Sequence, residues 1–504
     1  MGGLAHACHK TRKPLRRCAG DPPVRQVKMI TAPQTQSSEL RAEYRYGYIW
    51  AISLVAAMGG LLFGYDWVVI GGAEAFYKIF FQLDDKKDAV MVGWLMSCAL
   101  VGCLIGSIAS GSLSDRFGRK RLLLLSATLF TVSSIFTGLA QTTTAFVLWR
   151  IIGGIAIGMA SNLSPMYIAE IAPAGMRGRL VAINQLTIVI GILAAQTVNW
   201  GISAYGCHVW GTPVAENYWN VHYGWPLMFK AVAIPSALFL LLATFVPESP
   251  RWLARNGNDD YARRVLSRVG GEAYAQAELQ SIKETMRNEI QTVRFADLLE
   301  RRMLVVLGIG VFLAVLQQWS GTNILFNYAQ KVFTERGYKV SQTMLQIVIS
   351  GSINLIFTLV AIAMVDRFGR RVLMLFGCAS IAATQLLIGI GCQFELPGLF
   401  VMIFAMATIG CYALSLAPVT WVLISEIFPN RIRGAAVAVA VSALWIACFL
   451  LTFSFPVLSK VIGTGGAFCI YAIVCLTGFV FIYFRVAETK GKTLEQIEHE
   501  LVDA

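Results

Sequence analysis

Asp66 is the residue whose position most demands a chemical reason. It stands in Gly59-Gly60-Leu61-Leu62-Phe63-Gly64-Tyr65-Asp66-Trp67-Val68-Val69-Ile70-Gly71-Gly72, an apolar, glycine-studded run within a stretch long enough to span a bilayer. An aspartate deep in hydrocarbon costs roughly 2.5–3.5 kcal/mol on insertion scales, so it normally has a partner and a task. Arg150 is the other charge that falls clearly inside an apolar run. Burial disfavours an ionised carboxylate and a neighbouring guanidinium favours it, so such a pair can take up and release a proton. No histidine falls within a predicted span, which leaves Asp66 as the proton carrier, with Arg150 as its partner.

The elements that must position these residues follow from composition. The chain has 504 residues, 56% hydrophobic and 14% charged, with mean hydropathy +0.62, which excludes an ordinary soluble protein. Its charges sit in short blocks between apolar runs of about 20 residues, each enough to cross roughly 30 Å of hydrocarbon. This pattern predicts an all-α polytopic membrane protein; a β-barrel would show weaker, alternating segments of about ten residues. The net charge of +13 lies in loops on one side of the membrane, so no nucleic-acid partner is expected. The cysteines mostly lie within apolar runs (Cys98, Cys103, Cys378, Cys411, Cys448, Cys469) and read as small packing residues.

Twelve spans are predicted, at 47–72, 90–112, 121–141, 145–168, 181–205 and 226–246, then 303–330, 342–365, 371–392, 398–424, 434–457 and 465–486. The domain reading is a tail (1–45), a first six-helix bundle (46–246), a helical linker (247–302), a second six-helix bundle (303–486) and a short tail (487–504). Residues 1–45 are polar and basic and lack an apolar core, which argues against a cleavable secretory signal and for a disordered tail; Met29 could equally be the start. Loops rich in Lys and Arg, around Arg116–Arg121, Arg177, Arg367–Arg371 and Arg431–Arg433, share one face with the linker and both termini. By the positive-inside rule that face is cytoplasmic. The opposite loops are poorer in these residues, and the aromatic stretch at 205–224 reads as an interface anchor.

The two halves repeat. Asp115-Arg116-Phe117-Gly118-Arg119 recurs as Asp366-Arg367-Phe368-Gly369-Arg370, and Glu170-Ile171-Ala172-Pro173 with Arg177 recurs as Glu426-Ile427-Phe428-Pro429 with Arg433, at offsets of 251 and 256 residues. Duplicated membrane halves suggest two bundles around a pseudo-symmetry axis with a site between them near mid-depth. Carboxylates recurring with arginines suggest ion pairs that open and close the cytoplasmic side.

Several further motifs carry a specific resemblance, covering residues 47–500. They are Gly60-Leu61-Leu62-Phe63-Gly64-Tyr65-Asp66, the doubled Asp-Arg-Phe-Gly-Arg motif, Arg150-Ile151-Ile152-Gly153-Gly154, Pro247-Glu248-Ser249-Pro250-Arg251-Trp252, Gln317-Gln318 with Asn323, and Glu488-Thr489-Lys490-Gly491. Together they resemble the sugar porters of the major facilitator superfamily, most of all bacterial proton-coupled xylose/hexose symporters. The resemblance implies substrate contacts from Phe63, Gln185, Gln317, Gln318, Asn323, Asn354 and Trp421. The chemistry agrees, since amides donate to and accept from hydroxyls and an aromatic ring covers an apolar sugar face. Gln317 and Asn323 are six residues apart, not one clean helical face, so a break near Gly321 is expected to bring them together. Asp66 at a position commonly neutral in facilitative carriers of the family implies symport.

The chain departs from the xylose-symporter pattern at Ile192, Asn327, Leu444 and Pro226, which leaves the sugar open between pentoses and hexoses. A sugar uniporter is the alternative, and a non-transporting sugar sensor a weaker one. No metal-ligand cluster, nucleophile–base constellation or nucleotide loop is evident, so neither enzyme activity nor a cofactor is expected. The expected partners are a monosaccharide, a proton and the lipid of a bacterial inner membrane, with the monomer as the working unit.

Overall fold

A backbone in hydrocarbon must satisfy its own N–H and C=O groups, so apolar runs of this length become helices. The computed structural model describes residues 43–85, 87–210, 218–288, 301–335, 340–428 and 433–490, and among them it contains helices and turns but no strand. The tail expected at 1–45 lies almost wholly outside the described residues, as does most of the tail from 487 onward.

The first five spans are Tyr46–Phe80, Ala89–Phe117, Arg119–Thr137, Thr143–Ile171 and Arg177–Trp210. The sixth, Asn220–Phe245, opens on a π-helical turn at Asn220–Gly224. The seventh is broken into Arg301–Trp319 and Thr322–Asn327, followed by Ala329–Thr334. The eighth and ninth are Val340–Phe368 and Arg370–Gln393, and the tenth is broken into Gly398–Leu414 and Leu416–Glu426. The last helix, Arg433–Arg485, would be about 80 Å long at 1.5 Å per residue, far more than one crossing needs. It breaks at Gly463, where φ is 77°, and so makes the eleventh and twelfth spans.

Several helices overrun their predicted ends, because helical hydrogen bonding continues into the interface where hydropathy has already fallen. The first runs eight residues past position 72, and the fifth and sixth extend into the stretch read as a loop at 205–224. Consequently His208 and His222 stand on helices, at their exposed outer ends, which corrects the expectation that no histidine lies on a span. The linker forms Pro250–Arg255 and Asp259–Asn288, the second broken at Gly270 and Gly271. It is laced by ion pairs Arg263–Glu272 and Lys283–Asp259.

Packing reproduces the duplication in three dimensions. In the first bundle the second span lies on the fourth and the first on the fifth; in the second bundle the eighth lies on the tenth and the seventh on the eleventh. Between bundles the second span meets the eleventh, the fifth meets the eighth and the first meets the seventh. Exchanging span n with span n + 6 turns the first of these contacts into the second and maps the third onto itself, as a two-fold pseudo-axis requires.

The close approaches between bundles lie at mid-depth or in the halves of the spans away from the basic loops. A Cβ on Gly93 would sit 2.4 Å from the Phe453 carbonyl oxygen, and one on Gly71 would sit 2.7 Å from that of Asn327. Trp421, near the basic end of the tenth span, is by contrast 37% exposed. Among the described residues the bundles thus meet on the outer side.

Candidate functional site

Asp66 and Arg150 meet. Both carboxylate oxygens of Asp66 accept from Arg150 Nη1, at 2.8 and 2.7 Å, with Asp66 5% and Arg150 3% exposed. The guanidinium also lies over the Phe229 ring of the sixth span, 5.4 Å from its centroid. The pair joins the first span to the fourth, and glycines let the surrounding helices close around it. A Cβ on Gly64 would lie 1.9 Å from the Ile188 carbonyl oxygen, and one on Gly191 would lie 2.1 Å from that of Leu61. Only glycine permits this approach of the first and fifth spans. Gly64→Val is thus expected to cost about 3 kcal/mol or more by forcing those helices apart. Its melting temperature in detergent, read beside wild type, checks this.

The break in the seventh span gathers the amides. Trp319 ends the first segment, Gly321 adopts φ 79°, and helix resumes at Thr322. A left-handed residue is what glycine allows at little cost. Across the break Asn323 Nδ2 donates to Gln318 Oε1, and Gln318 Nε2 donates to Gln317 Oε1 at 3.4 Å. Gln317 Nε2 in turn donates to the carbonyl of Ala417 at 3.1 Å, beside the break in the tenth span at Ser415. The loosened seventh-span backbone is held from outside: Gln385 of the ninth span donates to the Ser320 carbonyl at 3.0 Å. The amide row thus tethers two broken helices.

A group of aromatic rings joins the first span to the eleventh. Phe63 lies 5.8 Å from Trp445 of the eleventh span and 6.0 Å from Trp67, and Trp67 lies 6.3 Å from Trp445. Trp445 Nε1 is buried without a partner among the described residues. Gln185 is half-buried on the fifth span, Asn354 is buried on the eighth, and Trp421 is exposed on the tenth; none of the three has a described hydrogen bond to the amide row. Of the departures, Ile192, Asn327 and Leu444 are all buried.

On the basic face the motif residues form two matching clamps. In the first bundle Arg119 pairs with Glu170 at 3.0 Å and with Asp115 at 3.3 Å, and Arg255 reaches Asp115 at 3.1 Å. Arg116 and Arg177 are exposed, Arg116 lying over Phe117. In the second bundle Arg370 pairs with Glu426 at 3.4 Å, and Arg367 is exposed with its carbonyl accepting from Lys490 at 2.6 Å. The side chains of Asp366 and Arg433 lie outside the described residues. These pairs fall within each bundle and not between bundles, so they brace each half separately.

Several participants escaped the reading of the sequence. Glu248 accepts from the backbone N–H groups of Arg119, Lys120 and Ser249, and Ser249 donates to Glu170. Glu488 accepts from the N–H groups of Arg370 and Arg371, and Thr489 donates to Glu426 at 2.6 Å. The signal was present, since Glu248-Ser249 and Glu488-Thr489 are a third repeated pair. Trp445 was missed beside Leu444. Glu74, 1% exposed, was missed because the first span was ended too early; it pairs with Lys78 at 3.1 Å, which meets Asp85 at 2.8 Å.

Polar side chains converging at mid-depth between two pseudo-symmetric bundles define a transporter of the major facilitator fold. Residues 52–501 match the family of sugar (and other) transporters, and the chain belongs to it. It is 37% identical over 491 residues to the D-xylose-proton symporter of Escherichia coli, covering 91% of this chain and 97% of the relative. It is 38% identical over 480 residues to a glucose transport protein of Synechocystis, covering 92% and 100%. The solved xylose transporter XylE from E. coli, in a partially occluded inward open conformation, superposes with a TM-score of 0.78 at 36% identity, covering 89% of this chain and 100% of that one.

Proposed function

We propose that this protein carries a monosaccharide, a pentose or hexose, across a bacterial inner membrane together with a proton, by alternating access. The buried Asp66–Arg150 pair carries the reading, because it holds a carboxyl group inside the bundle one helical turn from Phe63, which the family resemblance assigns to the sugar. With the outer side open, a proton on Asp66 removes its charge and loosens its hold on Arg150, while a sugar engages Gln317, Gln318 and Asn323. The bundles, taken as 46–246 and 303–486, then rock about the site and release both on the basic, cytoplasmic side. The hydrogen bonds from Arg150 to both oxygens of Asp66 re-form when the proton leaves. The clamps built on Asp115, Arg119, Glu170, Arg370 and Glu426 keep each bundle's cytoplasmic end rigid during the swing. Both termini are cytoplasmic, the monomer suffices, and neither catalysis nor nucleic-acid binding is part of the function.

Uniport is the second reading, favoured by one observation: an Asp–Arg pair held through both oxygens also serves as a permanent structural tie. Labelled uptake into proteoliposomes separates the two, using a panel of pentoses and hexoses with a pH gradient imposed or collapsed. Symport is expected to raise intravesicular sugar above the external level only under the gradient. Equal final levels in both conditions exclude symport, and no uptake of any sugar excludes the transport reading altogether.

A further inference from the structure

Five amide side chains lie outward of the central row, on the side where the bundles meet. Gln196 and Asn199 are three residues apart on the fifth span, Asn327 and Gln330 are three apart beyond the seventh-span break, and Gln346 is on the eighth. All are buried, Gln196 to 2% and Gln330 to 3%. Yet both amide atoms of Gln196 and of Gln330, Oδ1 of Asn199 and of Asn327, and Oε1 of Gln346 have no hydrogen-bond partner among the described residues. Buried polar atoms are nearly always paired, so a group of unpaired ones at one level points to something they meet in another state.

The elements that carry them meet at the seam between bundles, the fifth span packing on the eighth and Ala329–Thr334 on the first. Gln196 Oε1 lies only 1.9 Å from where a Cβ on Gly351 would stand, so this first-bundle amide is pressed against the eighth span. Asn199 Nδ2 donates to the Val69 carbonyl at 3.1 Å and abuts Gly72, next to Gly71, which touches the Asn327 backbone. When the outer ends part, these surfaces separate and the amides face the opening. Of the charges on the same spans, Glu74 pairs with Lys78 through one carboxylate oxygen only, the other being unpaired among the described residues, and Lys331 donates to Ser459 and lies over the Phe455 ring. A lining of neutral groups that both donate and accept suits a neutral polyhydroxyl compound rather than an ion. Asn327 and Gln330 lie four and seven residues beyond Asn323, on the outer side of the central row.

We propose that Gln196, Asn199, Asn327, Gln330 and Gln346 form an outer subsite that receives a monosaccharide before it reaches Gln317, Gln318 and Asn323. The proposal rests on the monosaccharide-transport reading. It is tested with the double variant Gln196→Leu/Gln330→Leu, which removes the amides while keeping side-chain bulk. Initial uptake is measured in cells over a range of concentrations of the sugar that wild type transports best. The half-saturating concentration is expected to rise about tenfold with the maximal rate within twofold of wild type, as loss of hydrogen bonds to substrate would produce. Gln196→Asn/Gln330→Asn is expected to recover most of that shift. An unchanged half-saturating concentration, or a fall in maximal rate alone, overturns the proposal and makes these amides a seal only. Should the double variant fail to reach the membrane, Gln346→Leu alone is read the same way, with about a threefold rise expected and no rise counting against the subsite. A wild type that takes up no monosaccharide fails earlier and differently, sinking the transport reading and the subsite with it.

Discussion

Asp66→Asn is expected to abolish uphill accumulation while exchange of labelled sugar across the membrane continues. The argument is one of charge. One elementary charge moving through 100 mV is worth about 2.3 kcal/mol, which sustains an accumulation of about fiftyfold. An asparagine cannot carry the proton, so the ratio falls to one, whereas the sugar still finds Gln317, Gln318 and Asn323 in place. The substitution also leaves Arg150 buried at 3% exposure without its counter-charge. Removing one partner of a buried pair costs about 3–5 kcal/mol, so Asp66→Asn is expected to melt well below wild type. Asp66→Asn/Arg150→Gln removes both charges and is expected to regain most of that stability without regaining accumulation. Counterflow and pH-driven uptake by the two variants, with melting curves alongside, decide the matter. Normal proton-driven accumulation by Asp66→Asn would refute the role given to this residue.

The second large effect is expected at Gln317. Its amide nitrogen holds the carbonyl of Ala417 at the tenth-span break, and its oxygen receives Gln318, which receives Asn323. Gln317→Ala therefore removes one sugar contact and frees the other two amides from their orientation. Losing two hydrogen bonds worth about 1–1.5 kcal/mol each lowers sugar affinity roughly 100-fold. Equilibrium binding of the transported sugar to purified protein measures this directly. Affinity within twofold of wild type would remove Gln317 from the site.

The Asp66–Arg150 pair was legible in the sequence because charge inside hydrocarbon is rare enough to single out two residues 84 positions apart. The break at Gly321 was legible too, since an amide spacing of six fits no unbroken helical face. Glu74 was not, because hydropathy falls before a helix ends, and the first span runs on to Phe80. Glu248 and Glu488 stood in quoted motifs, but their role was not legible because they act on backbone N–H groups after each basic turn, and a sequence does not display which N–H groups a fold leaves free. Trp445 was hidden by its all-apolar surroundings: nothing along the chain says which face of the eleventh span meets Phe63.

What the sequence determined by itself was the class of solution: twelve crossings, two related halves, a buried acid with a buried base, and a resemblance to sugar porters. The first three follow from composition, repetition and the cost of charge in lipid, and the resemblance rests on the motifs that the chain carries in order. What only the tertiary structure decided was partnership and state. It joined Asp66 to Arg150 through both oxygens, confined the basic-face ion pairs within each bundle, brought the bundles together on the outer side beside unpaired amides and left Trp421 exposed. The physical reason is that two bundles meeting across a pseudo-axis pack in more than one way with the same helices. Which side chains face each other is then a property of the arrangement, and no local pattern in the chain encodes it.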